Sequence, residues 1–159
     1  MITLEQLPDT TRIWIYQAQT PFSNELALEI GQHVANFAEQ WVSHNRALRA
    51  VGEVRHNQFI LLGVDESQAG ASGCSIDKSV HFMQALEGKY GINLFDRMTF
   101  TYQQDGKVLA APRDEFAALY AAGTIDDETL VFDNLVKTKA DFETSWVKPL
   151  GESWHKRMV

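Results

Sequence analysis

Hydrophobic and polar positions alternate along this chain in two different periods, and the periods divide it into elements. Arg12-Ile13-Trp14-Ile15-Tyr16-Gln17-Ala18 is apolar and rich in β-formers, stops short of Pro21, and predicts a first strand. Ser23 then offers an N-cap for a long helix running to about His44. Its apolar positions Leu26, Ile30, Val34, Phe37, Ala38 and Trp41 recur at helical spacing and predict a core-facing stripe. Arg49 to His56 and Gln58 to Val64 predict two strands joined near Asn57. The second holds the unbroken run Phe59-Ile60-Leu61-Leu62-Gly63-Val64, which suits a strand buried on both faces.

A short loop from Asp65 to Gly73 leads to a second helix, predicted from about Ser75 to Tyr90 and stopped by Gly91. Ile76, Val80, Met83, Leu86 and Tyr90 form its stripe. Met98 to Tyr102 alternates at period two, Asp105-Gly106 is a hairpin signal, and Lys107 to Ala110 returns antiparallel. A short helix capped by Asp114 and stopped by Gly123, then a strand over Thr129 to Phe132, complete the readable pattern. From Asp133 onward periodicity fails, and Phe142, Trp146 and Trp154 are expected to pin that tail to the body.

The order β-α-β-β-α-β predicts an α+β protein with a ferredoxin-like split β-α-β core. That core is an antiparallel sheet with two helices on one face, plus an extra hairpin strand. Residues 1–111 form the expected core and 112–159 a C-terminal extension packed on it, within one domain. A chain of 159 residues buries roughly 70% of its unfolded surface and needs no staple to fold. Sheets of this kind leave a face or an edge to be covered, so a homodimer is expected to suit them.

Charge narrows the function classes. Lys and Arg number 14 against 21 Asp and Glu, a net charge of -7, and no basic run exists to neutralise phosphates. Nucleic acid is therefore excluded as the expected partner. No stretch approaches the ~20 apolar residues of a membrane helix, and the N-terminus lacks a basic region followed by an apolar core. With one cysteine there is no internal disulfide, and the expected location is the cytoplasm. The five histidines are dispersed without metal-ligand spacing, so neither a metal nor a cofactor is expected.

Candidate chemistry concentrates in one segment, Asp65-Glu66-Ser67-Gln68-Ala69-Gly70-Ala71-Ser72-Gly73-Cys74-Ser75-Ile76-Asp77. It follows a buried strand and opens a helix. Small residues admit close backbone approach, and a helix N-terminus presents free N–H groups at a positive dipole end. That outline makes Asp65, Glu66, Ser67, Gln68, Ser72, Gly73, Ser75 and Asp77 candidate ligand contacts, for a small anion or a protein partner. The competing reading is a tight loop in which Ser72 or Ser75 caps the helix and Asp65 caps the turn.

A phosphate-binding P-loop starting at Gly70 would demand glycine at 75 and lysine at 76, where the chain has Ser75 and Ile76. Lys78-Ser79 comes two positions late, about 200° around the helix, and points away from any phosphate held by the loop. The P-loop fails. The 65–77 block, the start Arg12 to Ala18, Leu94-Phe95-Asp96-Arg97-Met98 and the ending Glu152-Ser153-Trp154-His155 nevertheless resemble a family of short bacterial proteins of unknown function. Its members often carry the label "ABC transporter ATPase". The resemblance implies nucleotide hydrolysis only through that label, and brings no assigned site residues.

Cys74 is the remaining reactive group. A thiol at a helix N-terminus becomes a nucleophile or redox sensor when a base activates it. His81 lies roughly 10 Å further along the same helix, which leaves His56 or His155 as the base. The sequence thus leaves three readings: a binding or interaction module that uses the 65–77 loop, an enzyme or redox protein using Cys74 there, and a nucleotide hydrolase.

Overall fold

The computed structural model describes residues 2–159. Its elements are β1 (Arg12–Gln17), α1 (Asn24–Gln40), β2 (Val42–Ser43), β3 (Arg46–Ala47), β4 (Arg49–Arg55), β5 (Phe59–Asp65) and α2 (Gly73–Tyr90). They continue as β6 (Thr99–Gln104), β7 (Lys107–Pro112), α3 (Arg113–Ala121), β8 (Leu130–Phe132), α4 (Lys139–Ser145) and β9 (Val147–Pro149). Mixed helices and antiparallel sheets make this an α+β fold. No helix among the described residues is long and apolar enough to cross a membrane.

Ser23 caps α1 by accepting the Leu26 N–H at 3.1 Å, as its position predicts. The helix stops at Gln40, short of His44, because Trp41 leaves helical geometry and buries its ring. The Trp41 indole N–H reaches across to the Ser75 carbonyl at 2.9 Å. His44 and Asn45 then take left-handed φ values of 50° and 64°, the turn that closes the β2–β3 hairpin.

The first sheet has the order β1-β5-β4, all antiparallel, with β5 buried from end to end. Alternate residues of β5 serve two different cores. Ile60, Leu62 and Val64 meet Ile30 and Val34 of α1 and Met83 and Leu86 of α2. Phe59 and Leu61 face the other way, onto Leu4, Leu7, Phe132, Phe142 and Trp146. α1 lies so close to β4 that a Cβ at Gly52 would stand 2.6 Å from the Val34 carbonyl oxygen, so only glycine fits there.

The second sheet, β7-β6-β8-β9, begins with the hairpin predicted at Asp105-Gly106, whose φ values are 52° and 75°. This corrects one detail of the expected split core. Two helices on one face of an antiparallel sheet are present, but β6 does not complete that sheet beside β1. The outer edge of β1 is taken instead by the tail: the Ile13 N–H donates to the Lys137 carbonyl at 2.9 Å, and Lys139 N–H to that of Thr11 at 2.8 Å. β6 meets β1 through a side chain, the Gln17 amide donating to the Thr99 carbonyl and accepting the Thr101 hydroxyl.

The tail whose pattern was unreadable is built into both cores. β9 extends the second sheet beside the predicted strand β8, while α4 supplies Phe142 to the underside of the first. Trp146 stacks on Phe142 with centroids 4.7 Å apart, and Trp154 packs edge-on to Phe100 at 5.5 Å.

Candidate functional site

The 65–77 segment connects the buried end of β5 to the first turn of α2. Asp65 is buried, and its carboxylate accepts the Ser67 N–H at 3.0 Å and a bond from Arg49 at 2.9 Å. Ser67, through its backbone and its hydroxyl, and then Arg49 hold the Asp65 carboxyl below the ordinary carboxylate range. Glu66 folds back over the loop and accepts the Ala71 N–H at 2.9 Å, with Arg12 3.9 Å away. The loop therefore encloses a carboxylate of its own.

Ser72 and Ser75 form a reciprocal cap on α2. The Ser75 N–H donates to the Ser72 hydroxyl at 3.2 Å, and the Ser72 N–H to the Ser75 hydroxyl at 2.7 Å. The Ser75 hydroxyl also donates to the Ser72 carbonyl at 2.9 Å. Both hydroxyls are spent on the helix itself, which is the capping alternative read from the sequence. Ser67, Gln68, Gly73, Cys74 and Asp77 all face solvent. The structure thus gathers the nine predicted residues into one loop and divides them. Asp65, Glu66, Ser72 and Ser75 hold it together; the other five form its outer rim.

Neither histidine considered as a base serves Cys74. The exposed His56 ring sits against Phe132 and Trp146, at the rim of the core on the opposite face of the first sheet from α2. Burial, then the neighbouring Arg55, lowers its pKa. His155 lies in the second sheet's core between Phe100 and Phe116, where burial pushes it down to about 4. Among the described residues no group of three or more His, Cys, Asp and Glu stands ready to hold a metal.

Sequence reading missed a second polar cluster, at the seam between the sheets. The Gln17 side-chain amide oxygen accepts the Thr101 hydroxyl at 3.1 Å and the Asn134 amide at 2.8 Å, and the Asn134 oxygen in turn accepts the Trp146 indole N–H at 2.9 Å. Asp133 accepts from Lys148, the Trp154 indole and the Leu135 N–H, at 2.9, 2.9 and 3.0 Å. Burial works against the Asp133 charge, yet these three donors hold its carboxyl below the usual range. No local motif announces such a network, because its bonded partners are up to 117 residues apart.

Beside the seam lies an open cleft of about 470 Å³, lined in part by Gln19, Asp96, Thr99, Arg113 and Asp114. Asp96 is committed there to the Thr99 hydroxyl, the Met98 N–H and the Gln19 amide, which lower its pKa in that order. It caps the turn before β6. No protein-family model matches the chain, and no curated protein or solved structure does so either.

Proposed function

We propose that this chain is a non-catalytic interaction module that meets a protein partner across the exposed rim of the 65–77 loop. One observation carries the reading: the two hydroxyls that cap α2 and both carboxylates that follow β5 are bonded within the chain, and neither His56 nor His155 stands by Cys74 to activate it. Ser72 and Ser75 cap each other's backbone, Asp65 holds Ser67 and Arg49, and Glu66 occupies the Ala71 N–H. An anion at that N–H would have to displace a carboxylate already in place, which weighs against a small phosphate ligand. What remains is a rim of Ser67, Gln68, Gly73, Cys74 and Asp77 on a rigid support. Such a surface suits contact better than turnover.

Cys74 supplies the test, since it is the chain's one thiol and it is exposed. A photo-crosslinker attached there in a cell extract is expected to capture a discrete protein. The same label on an Ala118→Cys, Cys74→Ser variant, which places it on α3, is expected not to capture it. Identical capture from both positions overturns the rim as the surface. Alkylation of Cys74 that already runs at its full rate by pH 6 overturns the non-catalytic reading in favour of an activated thiolate. Thermal stabilisation by Mg-ATP or inorganic phosphate, abolished by Ser72→Ala, restores the hydrolase or anion-site alternative.

A further inference from the structure

The edges of the two sheets are treated unequally. On β1 the tail covers the outer edge at Thr11, Ile13 and Lys137 to Lys139. On β4 the charged residues are already paired, Arg49 with Asp65 and Arg55 with Glu53. β7 has neither protection. Its register with β6 pairs Gln104 with Lys107, Tyr102 with Leu109 and Phe100 with Ala111, and the Arg113 N–H donates to the Met98 carbonyl at 2.8 Å. In an antiparallel ladder, residues 107, 109 and 111 then turn their N–H and C=O groups toward β6, and Val108 and Ala110 turn theirs outward. Among the described residues these four outward groups bond to nothing. Pro112, which has no N–H to give, ends the strand in the outward phase, where it costs the ladder nothing.

We infer that β7 is a homodimerisation edge, pairing antiparallel with β7 of a second copy about a two-fold axis at Leu109. Charge selects both the partner and the register. In this pairing Val108 exchanges both backbone bonds with Ala110 of the second copy and the reverse, so all four open groups on each edge are satisfied. Leu109 meets Leu109 across the axis. The same register sets Lys107 opposite the small Ala111 and, just past the strand ends, brings Asp105 in the β6–β7 turn of each copy to Arg113 at the start of α3 of the other. Asp105, Lys107 and Arg113 are exposed and make no ion pair among the described residues. Shifting the axis by one residue, to Ala110, brings Lys107 against Arg113 instead, and like charges opposed across strands repel. An open edge with no bulge and no inward charge at its centre is a template for another strand. Here the complementary strand is its own copy.

Sedimentation velocity on the full chain over a concentration series tests this. The expected mass is twice the 18.0 kDa of one chain. Arg113→Glu turns two attractive pairs into two repulsive ones and is expected to raise the dimer dissociation constant about tenfold or more. Lys78→Glu makes the same charge change on the far helix α2 and is expected to leave the constant unchanged. Ala110→Pro removes an outward N–H without touching the β6 ladder, and is expected to give a monomer with a native circular dichroism spectrum. A single-chain mass at every concentration overturns the inference. So does a dimer indifferent to Arg113→Glu, or one weakened equally by Lys78→Glu.

Discussion

The loop at the start of α2 and the seam between the sheets are both dense with polar groups, and they are built in opposite ways. In the loop every bond is short in sequence apart from the Arg49–Asp65 and Arg12–Glu66 pairs and the Trp41 indole on the Ser75 carbonyl. Ser72 closes on Ser75, Asp65 on Ser67, Glu66 on Ala71. In the seam Gln17 bridges to Thr99, Thr101 and Asn134, and the cluster around Asp133 ties β9 and the last turns of the chain to the end of β8. The rim of the loop is also wet where most of the seam is dry. Losing a bond at the surface returns the group to water, whereas losing one in the seam strands a partner without it. The seam should therefore carry stability and the loop should be free to carry contact.

The sharpest break of that comparison is Asp133→Ala. It leaves the Lys148 ammonium and the Trp154 indole N–H without their acceptor in a largely dry site. The expected loss is about 3–4 kcal/mol in urea unfolding. A loss under about 1 kcal/mol would show that the seam is no more critical than the surface.

Acid should attack the same place. His155 is 1% exposed and held neutral by burial, its pKa near 4 against 6.5 for the free side chain, with Lys148 adding to the effect and Asp133 opposing it. Between these values the unfolded chain binds a proton that the folded chain refuses. Stability from this group is thus complete above pH 6.5 and is lost as pH falls toward 4, by about 3 kcal/mol in all. Unfolding midpoints followed from pH 7 to pH 4 should show this slope in the native protein and a flatter one in His155→Gln. Equal slopes would place the acid sensitivity elsewhere.

What the sequence disclosed follows the same division between local and distant bonds. The Ser23 cap, the Asp105-Gly106 turn, the stripe of α1 and the doubly buried β5 were readable because each depends on neighbours within a few residues. The reciprocal Ser72–Ser75 cap was readable as one of two alternatives for the loop. The end of α1 was misjudged because Trp41 is held by Ser75, a partner 34 residues away. The placement of β6 could not be read either. A glutamine at the end of β1 and two backbone bonds from the tail decide it, and neither carries a periodic signal. Asp133 and Asn134 appear in the sequence only as polar residues in a patternless stretch, and His155 there offers itself as a base for Cys74 rather than as a core residue.

The smaller predictions sharpen the loop side. Ser72→Ala removes the N-cap of α2 and should cost about 1 kcal/mol, some 2–4 °C in the midpoint of thermal unfolding for a chain of this size. A larger loss would mean that the cap supports more than its own helix.

Glu66→Gln should have the least effect. The amide keeps an oxygen to accept the Ala71 N–H, and only the charge toward Arg12 is lost. That pair stands 3.9 Å apart with its side chains 42% and 36% exposed, so water and salt already screen it. The change in stability should stay within about 0.5 kcal/mol. The variant also asks what keeps anions out of the loop. If the carboxylate alone does, Glu66→Gln should be stabilised by inorganic phosphate where the native chain is not. If the Ser72–Ser75 cap is what consumes the donors, phosphate should have no effect on either protein. The second outcome is the expected one, because neutralising Glu66 frees neither hydroxyl and leaves the Ala71 N–H still bonded.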